Sequence, residues 1–248
     1  GDPIVYHYEW FLGPLSLVST SSSVDSIDTA KHQVWQVRVT PDDGYGMGEG
    51  ALASRTILNT SPVITSVEIG PNPLYTNDDA VSVLGIVDPD VDDTITVVHE
   101  WTVNGITTSE TASSLSGTIW FEKHQEIGLS VTPSDGESEG ETQVAEPILV
   151  LNSVPTSPEL VITPDPVVEG AEDMQCRIET PAFDADGDDV LYTFAWTRDS
   201  DDYPGDSGEE SSWVGPLTDD WPGDTVPVED LTAGEDWVCY VTSWDDEE

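Results

Sequence analysis

The sequence predicts an all-β chain of tandem β-sandwich domains, each about 93 residues long, arranged as an elongated array. Three observations carry that expectation. First, an Asp-rich loop running into a tryptophan-ended strand recurs. Asp184-Ala-Asp-Gly-Asp-Asp189 leads to Trp196, Asp88-Pro-Asp-Val-Asp-Asp93 leads to Trp101, and a shorter copy from Asp2 leads to Trp10. The tryptophans lie 91 and 95 residues apart, and a period of that size marks an array of like units. Second, the intervening runs alternate apolar and polar residues, as half-buried strands do. Third, Pro, Gly, Asn and Asp punctuate those runs every 8–12 residues or so, and no long helical pattern appears.

The first unit, residues 1–58, begins inside the strand ending at Trp10. It continues through a Ser-rich stretch at 19–26, an alternating strand at 33–40 and a further strand at 51–58. Pro41-Asp-Asp-Gly44 is a turn, since Pro presets φ and Gly tolerates positive φ. The second unit, 59–151, is complete, with strands expected at 63–69, 80–87, 94–103, 117–121, 126–132 and 142–151. Pro133-Ser-Asp-Gly136 repeats the earlier turn, Lys123-His-Gln125 repeats Lys31-His-Gln33, and Asn152-Ser-Val-Pro155 repeats the linker Asn59-Thr-Ser-Pro62. The third unit, 152–248, stops before its last strand and carries a Gly/Ser/Asp-rich insertion near 199–216.

Short strands with a tryptophan on a middle strand describe an immunoglobulin-like β-sandwich. The two cysteines fit it: Cys176 falls on the second strand of its unit, Trp196 follows, and Cys239 falls on the next-to-last strand. That order reads as an intersheet disulfide packed by tryptophan; the other reading is two buried thiols. Val37 and Leu129 hold the Cys239 position in the other units. A disulfide implies an oxidising compartment.

The succession of Asp-x-Asp-Gly-Asp, aromatic-x-x-x-Trp, Trp-x-Cys/Val-x-Val-Thr-Pro-x-Asp-Gly and Asn-Thr/Ser-x-Pro resembles the tandem Ig-like repeats of large bacterial extracellular surface proteins. Those are similar to PKD-type and cadherin-like modules. The resemblance implies a non-enzymatic extracellular array that often binds calcium near the Asp-rich loop. This chain departs from the pattern at Val91, where the third unit has Gly187, and at Trp244 and Asp246 in the last acidic turn.

Composition bounds the partners. Fifty acidic residues against six Lys plus Arg give a net charge of −44. That excludes the basic stripe a nucleic-acid binder needs and disfavours anionic lipid. No apolar run reaches the roughly 18–20 residues of a membrane span. Such charge repels itself, so salt or divalent cations should steady the fold. Nine Trp and seven Tyr set the chain apart from disordered acidic sequences.

Among candidate sites, Asp88, Asp90, Asp92 and Asp93, and likewise Asp184, Asp186, Asp188 and Asp189, offer hard oxygen ligands that suit calcium. The spacing fails the EF-hand, so further ligands must come from elsewhere, with Asn59 and Asn152 in the linkers the natural donors. The competing reading is a solvated acidic turn. Trp10, Trp101 and Trp196 recur at one position and read as core, as do Trp35 and Trp237. Trp213, Trp221 and Trp244 have no counterparts; with Tyr203 they are the candidate contacts to a glycan or a neighbouring subunit, against the plainer reading of loop residues folded back on the sandwich. His32 and His124 read as turn residues. No Gly-x-Ser-x-Gly elbow, phosphate loop or focused carboxylate pair suggests an enzyme. The expectation is a structural module of an exported surface protein that self-associates or packs on neighbouring subunits as a stalk, fibre or filament. The rivals are an adhesin or carbohydrate-binding module and the spacer of a secreted hydrolase.

Overall fold

The computed structural model of the chain describes residues 3–13, 16–204, 222–247 and the backbone of 211–212. Trp213 and Trp221 lie outside the described residues.

In unit one, strands β1 (Val5–Leu12), β2 (Ser16–Ser19), β3 (Val34–Asp42) and β4 (Ala51–Thr56) form one antiparallel sheet in the order β2-β1-β3-β4. Unit two holds β5 (Val63–Gly70), β6 (Leu74–Tyr75), β7 (Asp79–Val87), β8 (Thr96–Val103), β9 (Ile106–Thr107), β10 (Ser114–Ser116), the helical turn α1 (Gly117–Trp120), β11 (Glu126–Ser134), β12 (Gln143–Val144) and β13 (Ile148–Leu151). Its sheet β10-β7-β5 packs on β6-β13-β11-β8-β9, with β12 also on β11. Unit three holds β14 (Glu159–Thr163), β15 (Met174–Thr180), β16 (Leu191–Arg198), β17 (Asp201–Asp202), β18 (Ser211–Ser212), β19 (Thr225–Val226) and β20 (Trp237–Trp244), in sheets β14-β15-β19 and β17-β16-β18 with β20 on β16. Units two and three are Ig-like β-sandwiches, unit one is a single sheet among the described residues, and the array is all-β apart from single helical turns.

One register runs through all three units. Trp10 stands opposite Val37, Trp101 opposite Leu129, and Trp196 opposite Cys239. Each indole N–H donates to a backbone carbonyl further on: Trp10 to Ser21 at 3.0 Å, Trp101 to Ala112 at 2.9 Å, Trp196 to Gly223 at 3.0 Å. The first two reach 11 residues along the chain and the third reaches 27, which places the insertion between Trp196 and its acceptor. Trp101 is wholly buried among Ile127, Leu129 and Val131 of its own sheet and Ile64, Ile69 and Leu115 of the opposite one. An aromatic side chain of about 200 Å² buried at about 25 cal/mol per Å² contributes on the order of 5 kcal/mol. Cys176 and Cys239 form the disulfide that joins β15 to β20 within the cluster containing Trp196.

Two strand expectations change. Gly117–Trp120 form α1, capped by Phe121, in place of the strand expected over 117–121: the Gly117 N–H donates to Asp78 O at 2.9 Å, and three successive apolar residues, Ile119 to Phe121, do not alternate. The turn buries Phe121 and leaves Ile119 outside. The 142–151 strand is split into β12 and β13, with Pro147, which lacks an N–H to give the ladder, in the gap. β17 meets Thr197 and Arg198 as β9 meets Thr102 and Val103, and the insertion adds β18, which meets Leu191 and Tyr192.

Candidate functional site at the two junctions

The Lys-His pairs, the linker asparagines and the Asp-rich loops come together, twice, where one unit meets the next. At the first junction the loop before β3 is pinned by its backbone, His32 N–H donating to Ile57 O at 2.9 Å. His32 sits at φ +65, and this turn projects the neighbouring Lys31 towards unit two. The Lys31 ammonium donates to Asn59 Oδ1 at 2.9 Å and to Asp93 at 2.6 Å, and stands 3.5 Å from Glu137. Asn59 Nδ2 donates onward to Asp135 Oδ2 at 2.7 Å and Ser138 Oγ at 2.8 Å. Thr60 N–H donates to Asp90 Oδ2 at 2.9 Å, and His32 Nε2 lies 3.0 Å from Glu137 Oε2. Unit one, the linker and two loops of unit two are thereby tied through one amide side chain.

The second junction repeats the arrangement. The Lys123 ammonium donates to Asn152 Oδ1 at 3.2 Å and to Asp188, and pairs with Glu247 at 2.9 Å. Asn152 Nδ2 donates to Asp245 Oδ2 at 2.9 Å, Ser153 N–H to Asp186 Oδ2 at 2.6 Å, and His124 Nε2 lies 2.9 Å from Glu247 Oε2. His124 sits at φ +64, matching His32. Lys31 and Lys123 are the only two lysines in the chain. In a molecule of net charge −44, both are spent at the junctions.

The electrostatics follow from these contacts. The hydrogen bond that Lys31 donates to Asp93 holds it above the usual lysine range, against the opposing effect of desolvation. Burial works against the charge on Lys123, but Asp188 and Glu247 outweigh it and keep the ammonium protonated. The Asn59 amide, with the Ser138 and Glu137 N–H groups, holds the Asp135 carboxyl well below the usual carboxylate range.

The Asp-rich loops divide into inward and outward members. Asp88, Asp90 and Asp93 bring carboxylate oxygens within 4.8 Å of one another, as do Asp184, Asp188 and Asp245. Asp92 and Asp189, counted among the candidate calcium ligands, are exposed. The equivalence expected between Asp93 and Asp189 is off by one: Lys31 meets Asp93, whereas Lys123 meets Asp188. Asp93 and Asp188 each stand eight residues before the unit's tryptophan, so the third-unit loop is one residue shorter; it closes with Gly187 at φ +80 and with Asp184 Oδ1 accepting the Asp186 and Asp188 N–H groups at 2.8 and 3.1 Å. Asn59 and Asn152 present their carbonyl oxygens to lysine. Four buried oxygens in these clusters, Asp88 Oδ2, Asp184 Oδ2, Asp186 Oδ1 and Ser153 Oγ, have no hydrogen-bond partner. Asp184 is 6% exposed and Asp245 1%.

The aromatic candidates lie elsewhere. Tyr203 is half-buried with its ring 4.9 Å from Trp237 and its hydroxyl on Asp230, and burial followed by Asp230 pushes its pKa up to about 12. It folds back on the sandwich. Trp244 is half-buried at the end of β20, opposite Leu191. Sequence reasoning passed over the two lysines, Asp135, Asp245, Glu137 and Glu247. The available signal was that the only lysines fall at one repeat position beside a repeated Asn.

No protein-family model matches the chain, and no curated protein matches it. Among solved structures, the chain is similar to the FN1–FN3 domains of chicken CNTN1, at 9% identity and a TM-score of 0.34 over 98% of this chain and 84% of that one. It is also similar to a run of domains from titin, at 12% identity and a TM-score of 0.31 over 98% of this chain and 83% of that one.

Proposed function

We propose that this chain is a structural segment of an exported surface protein, a stalk, fibre or filament in which Ig-like units are held end to end. The observation that carries the reading is the latch built twice from the same residue types, each time joining two successive units through a lysine, an asparagine and three carboxylates. A catalytic site needs one focused constellation; here the polar chemistry is repeated at the period of the array. The Cys176–Cys239 disulfide supports an oxidising, extracellular setting. Among the described residues, no helix is long and apolar enough to cross a membrane.

Calcium belongs to the same proposal. The unpartnered oxygens of Asp88, Asp184 and Asp186 have the chemistry of hard-cation ligands, and the lysine at each junction pairs with only one carboxylate of its cluster, Asp93 or Asp188, leaving the others to repel one another. The ligand set reduces to Asp88, Asp90 and Asp93 at the first junction and Asp184, Asp186, Asp188 and Asp245 at the second. With the cation bound, each acidic loop is held beside the lysine latch and the linker is stiffened. Tyr203's inward packing leaves the glycan-binding alternative resting on Trp213, Trp221 and Trp244. Electron microscopy tests the main reading: purified protein should give rods or fibres with a repeat near one domain length, and compact monomers at every concentration would count against it.

A further inference from the structure

One position in the core of unit two carries a group that can take up a proton. Two residues before each repeated tryptophan, on the same face of the strand, stand Tyr8, His99 and Phe194. Each lies opposite a valine of the neighbouring strand: Tyr8 opposite Val39, His99 opposite Val131, Phe194 opposite Val241. The position is therefore an aromatic one, filled in unit three by Phe194 at 1% exposure and in unit two by His99 at 8%. Imidazole has the flat shape the place requires, but only its neutral form suits an apolar interior.

The surroundings give a protonated ring no counter-charge. His99 Nε2 lies 3.2 Å from Ser82 Oγ on β7, across the sandwich, and Val131 faces the ring from β11. The strands of unit two carry four carboxylates and one phenol: Glu68 on β5, Tyr75 on β6, Asp79 on β7, Glu100 on β8 and Glu126 on β11. All five side chains are exposed. Glu110, in the loop after β9, is half-buried, with Oε1 accepting the Thr111 and Ala112 N–H groups. The other three histidines contrast with this one. His7, His32 and His124 are exposed and stand 3.2, 3.0 and 2.9 Å from a carboxylate oxygen, so a proton on any of them completes an ion pair.

We propose that His99 makes unit two acid-sensitive: a proton taken up there puts a charge between the sheets and loosens that unit, while unit three, with Phe194 in the same place, does not respond. Burial alone pushes the imidazole below the ordinary histidine value of about 6.5. A folded value below the unfolded one gives stability that is present above the unfolded value and is lost as pH falls through the folded one. The window opens below about pH 6.5, above the range in which aspartates titrate, so unit two is weakened there while still folded. The inference goes beyond the array reading and does not depend on how the units are joined.

Residue-resolved amide hydrogen exchange of the full chain, corrected for its intrinsic pH dependence, reads each unit separately and tests the proposal. Between about pH 7.5 and about pH 5, protection at Leu129 and Val131 should fall several-fold, while that at Phe194 and Val241 holds. In the same samples the His99 ring signals should titrate below the ordinary histidine value. Two variants carry the assignment: His99→Phe, the residue of unit three, and His99→Gln, which keeps a polar group for Ser82 but takes no proton. Either one, if the other fails to fold, should abolish the fall in unit two. Protection in the wild type that does not change, a ring that titrates at the ordinary value, or a fall that persists in the variants would each overturn the proposal and leave the array reading standing.

Discussion

Lys31 donates to Asn59 at 2.9 Å across 28 residues of chain, and the same asparagine passes the interaction to Asp135 of the next unit. The linker is therefore held by its side chain from both directions. A flexible tether would leave that amide to water; here it reads out the relative placement of two domains. Its repeat at Lys123, Asn152 and Asp245 makes the junction a designed part of the array.

Lys123→Ala should leave both flanking units folded while freeing the hinge between them. Asp188 and Glu247 would face each other without their counter-ion, and the partly exposed pair should cost about 1 kcal/mol or less of overall stability. Limited proteolysis reads the effect directly: cleavage near 152–155 should rise several-fold while the melting profile barely moves. Equal cleavage rates would show that the lysine does not hold the linker.

Acid should open the first junction before it unfolds the units. Asp135 has its folded pKa depressed, chiefly by the Asn59 amide, so its contribution is present above the unfolded aspartate value of about 3.9 and is lost as pH falls through the folded value. Pepsin cleavage of 59–62 should accelerate as pH drops from about 4 towards 2, beyond the enzyme's own dependence. Asp135→Asn should already be cleaved at the upper end of that window. A variant with the wild-type profile would remove Asp135 from the account.

Gly140 is required by a close approach. A Cβ there would lie 2.1 Å from the Pro62 carbonyl oxygen, so Gly140→Ala must push the linker away from its turn. Overpacking of this kind costs about 1–3 kcal/mol. Chemical denaturation of unit two should show it, and Gly48→Ala, whose Cβ meets only the Pro41 side chain at 3.0 Å as its nearest atom, should cost less.

Reduction should act on unit three alone. Cys176 and Cys239 are 63 residues apart, and a loop of that length is worth about 4 kcal/mol. A calorimetric scan with reductant should lower one transition by on the order of 20 °C and leave the others in place. A uniform shift would mean that the units do not melt independently.

Calcium should raise the melting midpoint, chelator should reverse it, and Asp88→Asn combined with Asp184→Asn should abolish most of the response. Asp189→Asn should change nothing, because Asp189 is exposed and lies outside the carboxylate cluster. An unchanged midpoint in the wild type would take calcium out of the proposal.

The repeated Asp loop and tryptophan were legible because one strand position carries the same large ring in every unit, buried at Trp101 and Trp196 and half-buried at Trp10, and the Cys176–Trp196–Cys239 order exposed the intersheet bridge. Boundaries set by turns were harder. At 117–121 the apolar run suits strand or helix, and only the approach of Gly117 to Asp78 decides it. In the third-unit loop one residue fewer separates Asp184 from Trp196 than Asp88 from Trp101, so aspartates aligned from the start of the loop do not hold aligned roles. The latch itself was hidden because Lys31 and Lys123 meet residues 62 and 65 positions away, a pairing no local pattern encodes. Scarcity was the one clue: a lysine is unusual in this sequence, and two at the same repeat position ask for an anionic partner.

Residual dipolar couplings measured for units two and three in the intact chain test the central claim most directly. If Lys123, Asn152 and Asp245 lock the units, both should fit one alignment tensor in the wild type and require two after Lys123→Ala. Two tensors in the wild type would mean that the units tumble separately, and the latch would not be what organises the array.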